Sequence, residues 1–135
     1  ACEKADKIAA IASLAGAALR LDEQCEPSEA VSVLQIHGDR DDTILYEGSL
    51  YSPGARESVE NWGTFDRCSG GLEDGGRMDI EVALQGEETL VERMRNCPSG
   101  IGVELWTIEQ GSHRPSFTEG FSAQLWAWLS AHPKQ

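Results

Sequence analysis

The apolar positions of this chain fall into unbroken runs and helical stripes, and these predict its elements. Val31–Ile36 carries β-branched residues on both faces, the pattern of a parallel strand covered on both sides. Ile101–Ile108 is a second strand-like run, closed by Gly111. Ile8–Ala15 is a short buried strand or part of a helix, because periodicity does not separate the two. Ala1–Lys7 before it reads as the last turn of a helix, and residues 16–30 after it as a loop. Ser52-Pro53 predicts a helix start, with Ala55, Val59 and Trp62 on one face. Cys68–Gly76 reads as a long glycine-marked loop. Ile80, Val82 and Leu84 alternate with polar residues, and Gln85-Gly86-Glu87 turns them back into Glu88–Met94 as a hairpin. Phe121–Ala131 predicts a closing helix with Phe121, Leu125, Trp128 and Leu129 as its apolar stripe, and Ser116 with Glu119 as its capping box.

Parallel strands with helical segments around them predict an α/β layer of about three parallel strands and a small hairpin excursion. The chain has 135 residues, enough for one domain with its own core. Its formal charge of −12 leaves no basic cluster to neutralise a phosphate backbone, which argues against a nucleic-acid partner. The apolar run from Ile8 to Leu19 is too short and alanine-rich for a membrane span. Lys4 and Lys7 before that run loosely imitate a signal peptide, but Glu3 and Asp6 sit where such a segment carries only positive charge. Four cysteines without a CxxC pair suggest two disulfides and an exported protein, secreted or periplasmic, and argue against a thiolate zinc site. Their spacing leaves the pairing open.

In a parallel sheet, functional groups collect past the carboxyl ends of the strands. Asp39, Asp41 and Asp42 follow one predicted strand and His113 follows another, so an aspartate and a histidine can share one rim. An aspartate that accepts an imidazole N–H fixes the tautomer and steadies the imidazolium formed during proton transfer.

The stretch His37-Gly38-Asp39-Arg40-Asp41-Asp42-Thr43, followed by Tyr46, resembles the acid-bearing loop of the secreted polyhydroxybutyrate depolymerase and feruloyl esterase family of α/β-hydrolases. Trp62, Cys68, Cys97 and Val103–His113 are similar to its C-terminal half, and FSAQLWAWLSAHP to its last helix. The opening ACEKADKIAAIASLAG resembles the segment after the nucleophile helix. The resemblance implies one partial α/β-hydrolase domain over residues 1–135, the C-terminal half of that fold. Asp41 would be the triad acid and His113 the general base, with Asp39 standing where the family usually has threonine. It also implies a Cys68–Cys97 disulfide, leaving Cys2 with Cys25. Closing a loop of about 30 residues contributes about 3–4 kcal/mol on the chain-entropy model.

No G-x-S-x-G elbow occurs. Gly120-Phe-Ser122-Ala-Gln124 lacks the second glycine and lies on the closing helix. The resemblance places the serine before Ala1, so the chain alone is expected to be inactive. The expected function is the C-terminal portion of a secreted serine esterase acting on small or polymeric esters of polyester or feruloyl type, without metal or organic cofactor. Arg114-Pro115 follows His113 where the family commonly has a tryptophan nearby, so the substrate wall differs. The alternative is a non-catalytic binding or assembly unit, paired through an exposed sheet edge with the missing half or with a second copy.

Plainer readings compete. Asp39-x-Asp41 starts like a calcium loop, but Ile44 stands where its glycine belongs and Leu50 where its glutamate belongs. His37 and His132 read as structural, and Trp106, Trp126 and Trp128 as core aromatics. Ser69–Gly76 lacks a phosphate-loop lysine.

Overall fold

A computed structural model describes residues 1–18 and 25–134; part of the loop expected over residues 16–30 lies outside them. After a short 3-10 turn at Cys2–Lys4, the elements are β1 (Ala10–Leu14), β2 (Ser32–Gly38), α1 (Ala55–Phe65), β3 (Leu72–Met78), β4 (Thr89–Met94), β5 (Val103–Ile108) and α2 (Phe121–Ala131). The strands form one sheet in the order β1-β2-β5-β4-β3.

The expectation of about three parallel strands with flanking helices, as half of an α/β-hydrolase fold, is overturned. β1 pairs β2 and β2 pairs β5 in parallel, but β4 runs antiparallel to β5 and β3 antiparallel to β4. The sheet is therefore a mixed one of five strands, accompanied by two α-helices among the described residues. The predicted hairpin excursion is absorbed into it: β4 lies directly on β5, with Thr89 opposite Ile108 and Val91 opposite Trp106.

Two other element predictions fail in the same region. Much of the stretch Cys68–Gly76, read as loop, belongs to strand β3 (Leu72–Met78), and its Gly75-Gly76 pair sits in a register shift between Asp74 and Arg77. A bulge takes up the extra residues without ending the pairing. Ile80–Leu84, read as strand, is not one. The Glu88 carboxylate accepts the Ile80 and Glu81 N–H groups, each at 3.1 Å, doing the work of a strand neighbour. Ile80 is fully buried while Val82 is 64% exposed, so the alternation has no sheet face to serve.

The helix starts also shift. α1 begins at Ala55 with Gly54 as its N-cap, while Pro53 pairs with Gly48 in an isolated bridge. α2 is capped by Gly120, and Ser116 is not its cap: the Ser116 N–H donates to Glu81 Oε2 at 2.8 Å.

β2 and β5 are buried along their whole length, so successive side chains feed two cores on opposite faces. On one side Val103 and Leu105 meet Ala55 and Val59 of α1. On the other, Leu34, Ile36, Trp106 and Ile108 pack with Phe121 and Trp128 of α2. Trp106 and Trp128 are core aromatics as expected; Trp126, at 70% exposed, is not. Two disulfides join Cys68 to Cys97 and Cys2 to Cys25. No helix among the described residues is long and apolar enough to cross a membrane.

Candidate functional site

β2 and β5 run side by side in one direction, with His37 opposite Thr107 and Gly38 opposite Ile108. The segments that follow them therefore leave the sheet at the same edge. They are stitched together at once: Asp39 N–H donates to the Ile108 carbonyl at 3.1 Å and Arg40 N–H to the Gly111 carbonyl at 3.0 Å. A Cβ on Gly38 would overlap the Gly111 carbonyl, so only glycine permits this approach.

The three aspartates after β2 have three different roles. Asp39 Oδ1 accepts the Gln110 N–H at 2.6 Å and so ties its loop to the turn after β5. Asp42 is exposed and accepts the Thr43 hydroxyl at 3.3 Å. Asp41 is buried, and its Oδ1 accepts the Thr43 and Ile44 N–H groups, both at 2.8 Å. That side-chain turn aims Oδ2 at His113, whose Nδ1 lies 2.9 Å away.

Burial is the largest influence on the Asp41 carboxyl and pushes its pKa up. The hydrogen bond from His113, the Thr43 and Ile44 N–H groups and the charge of His113 together outweigh it, and the net direction is below the usual 3.8. Asp41 is thus a carboxylate and can only accept, so His113 carries its proton on Nδ1. His113 Nε2 makes no hydrogen bond to any described residue, and the side chain is 31% exposed. An imidazole held this way presents a bare, solvent-facing nitrogen that can take up a proton while the acid behind it balances the charge. Next to it lies an open cavity of about 320 Å³ lined by Asp42, Thr43, Ser112, His113 and Arg114.

The described residues also enclose a larger cavity of about 470 Å³, but it lies at the opposite end of the sheet, around Ala30, Asp66 and Ile101. It contains Asp66, whose carboxyl burial pushes up to about 6 against the Val31 N–H that it accepts. No imidazole or thiol lines it, and the acid–imidazole pair makes the smaller cavity the candidate site. Among the described residues no cluster of three or more His, Cys, Asp or Glu side chains is placed to hold a metal ion.

Sequence reasoning singled out Asp41 and His113, and the structure brings them into contact; Ser122, on α2, is not part of this cluster. It missed His37. That ring is 1% exposed and its Nε2 stands 3.1 Å from Asp41 Oδ2, on the same oxygen that His113 uses. The four-residue spacing of His37 and Asp41 across a strand end was the available signal.

No family model matches the chain. It is similar to feruloyl esterase B of Piromyces equi, 27% identical over 99 residues, a match that takes in 67% of this chain and 17% of that protein. This is a distant relationship to an esterase, and the matched part of the chain spans a small fraction of the relative's length.

Proposed function

We propose that this chain is part of a serine-type carboxylic-ester hydrolase in which Asp41 orients His113 as general base. The observation that carries the reading is the 2.9 Å contact between a buried Asp41, held by two backbone N–H groups on Oδ1, and the partly exposed His113. In such an enzyme the imidazole takes the proton of a serine that attacks the ester carbonyl, then returns it to the departing alcohol; water repeats the cycle on the acyl-enzyme. The serine would come from residues outside this chain, in line with a relative several times longer. The similarity to a feruloyl esterase favours feruloyl-type aryl esters as substrates. Two disulfides fit an exported protein, since such bonds persist in oxidising compartments.

The test uses the coding sequence around this chain. A longer protein carrying an upstream serine elbow should hydrolyse an aryl ester, and His113→Ala should abolish that turnover while the fold survives. Full activity in the His113→Ala protein overturns the reading, as does a nucleophile-dependent burst from the 135-residue chain alone.

A second reading rests on the outer edge of β1, which pairs with no described strand and ends in Leu14, 47% exposed. An open edge of this kind recruits another strand, which would make the chain an assembly unit. Light scattering separates the two: a concentration-independent monomer counts against it.

A further inference from the structure

Gln35 and His37 both lie on β2, two positions apart and so on one face of the sheet. The Gln35 side-chain nitrogen stands 3.1 Å from the Gly16 carbonyl and 3.0 Å from His37 Nδ1. A flipped amide would set its oxygen against the Gly16 carbonyl, so the nitrogen is the group at this position. Both of its N–H donors are then in use, and His37 Nδ1 must be an acceptor. The His37 proton consequently sits on Nε2, where it faces the Ile44 carbonyl at 2.8 Å and Asp41 Oδ2 at 3.1 Å. The Tyr46 ring closes the pocket edge-on, 5.7 Å from the imidazole.

From this wiring we propose that His37 is a positioning residue, a second imidazole on the far side of the Asp41 carboxylate that holds Oδ2 in line with His113. The inference rests on the esterase reading of the Asp41–His113 pair. Without His37, Oδ2 loses the Nε2–H group that stands 3.1 Å from it and the Ile44 carbonyl loses its 2.8 Å donor, while both backbone N–H groups sit on Oδ1. The carboxylate can then turn about its last torsion and lose the line to Nδ1. Gln35 has a part in this: by donating to Nδ1 it keeps His37 in the Nε2–H form, which donates to the Ile44 carbonyl and sets an N–H dipole beside Asp41 Oδ2 without a second positive charge. A cation at position 37 would share the oxygen that steadies the His113 imidazolium and oppose its formation.

The chain has three histidines, so long-range proton–nitrogen spectra at neutral pH resolve each ring. In the parent, His37 should show a bare Nδ1 and a protonated Nε2, and His113 a protonated Nδ1. His37→Leu should drive the two His113 nitrogen shifts together, towards the averaged values of a freely exchanging ring. His37→Gln, whose amide N–H reaches the same place, should restore the parent pattern. A folded His37→Leu protein with an unchanged His113 spectrum overturns the proposal. Where His37→Leu does not fold, Gln35→Leu serves instead: it should mix the His37 tautomers and broaden the His113 signals, and no change in either overturns the proposal. A parent in which His113 Nδ1 is unprotonated overturns both this inference and the reading beneath it. Loss of ester hydrolysis alone, with the histidine spectra as expected, fails only the latter.

Discussion

Gly38, the last residue of β2, is pressed so tightly on Gly111 that a side chain there would meet the Gly111 carbonyl, with the Ser112 carbonyl 2.8 Å away. Both obstacles are backbone, which has little room to yield. This contact sets the separation of the two loops that carry Asp41 and His113. Gly38→Ala should therefore cost about 1–3 kcal/mol of stability through overpacking. It should also lengthen the Asp41–His113 contact, seen as loss of the protonated Nδ1 pattern of His113. A variant with parental stability in urea would mean that the loops can part freely.

Asp41 should contribute stability that depends on pH in a defined direction. Its folded pKa lies below the ordinary 3.8, so the unfolded chain binds the proton more readily. The contribution is present above 3.8 and is lost as pH falls through the lower folded value. Asp41→Asn keeps an oxygen for the Thr43 and Ile44 N–H groups but gives up the charge. The gap between parent and variant should be about 1–3 kcal/mol at pH 7 and should shrink in acid. Urea titrations at pH 7 and pH 3 measure it, and a gap that widens in acid refutes the assignment.

Asp66 should act with the opposite sign. Burial raises its carboxyl to about 6 from 3.8, and among the described residues only Oδ1 has a partner, the Val31 N–H. The folded state binds the proton more tightly here, so stability is full below 3.8 and is lost as pH rises to about 6. The shift corresponds to about 3 kcal/mol at most. Asp66→Asn retains an acceptor for Val31 and cannot ionise. Relative to the parent it should gain stability from pH 4 to about pH 6 and level off above that. Parallel stability curves for the two proteins would remove Asp66 from the account.

The Cys68–Cys97 bridge joins the segment after α1 to the segment after β4 and spans 29 positions. Replacing both cysteines by serine should lower stability by about 3–4 kcal/mol on the loop-entropy model. Thermal unfolding of the double variant tests this, and an unchanged midpoint would show that the native contacts alone hold these segments.

The elements visible in the sequence are those whose burial is uniform. β2 and β5 are apolar from end to end because both faces are covered, and α2 carries a stripe from Phe121 to Leu129 against the sheet. Strand direction was not legible in this way. Nothing in the composition of Thr89–Met94 distinguishes a separate hairpin arm from a strand laid against β5. β3 was hidden for a physical reason: its Leu-Glu-Asp-Gly-Gly-Arg-Met sequence is an edge strand with little to bury and a bulge at its glycines. The Ile80–Leu84 alternation misled because Glu88, buried and remote from any predicted site, supplies hydrogen bonds that a periodicity argument does not contain.

The candidate site shows the same division. Residue type and position past a strand end were enough to single out Asp41 and His113. The roles of Asp39 and His37 depend on which atoms meet across loops, Asp39 with Gln110 and His37 with Asp41, and no local pattern encodes that.

The parallel pairing of β2 with β5 also has a temporal meaning. Ser32 and Gly102 are hydrogen-bonded across 70 intervening steps of chain, so a large loop must close before this ladder exists. Contacts of such high order form slowly compared with the helices and the β3–β4 hairpin. During synthesis the acid would wait, already in its own turn, for the imidazole to arrive 72 positions later. On the proposed reading, the acid and the imidazole are united only after this long-range joint has closed.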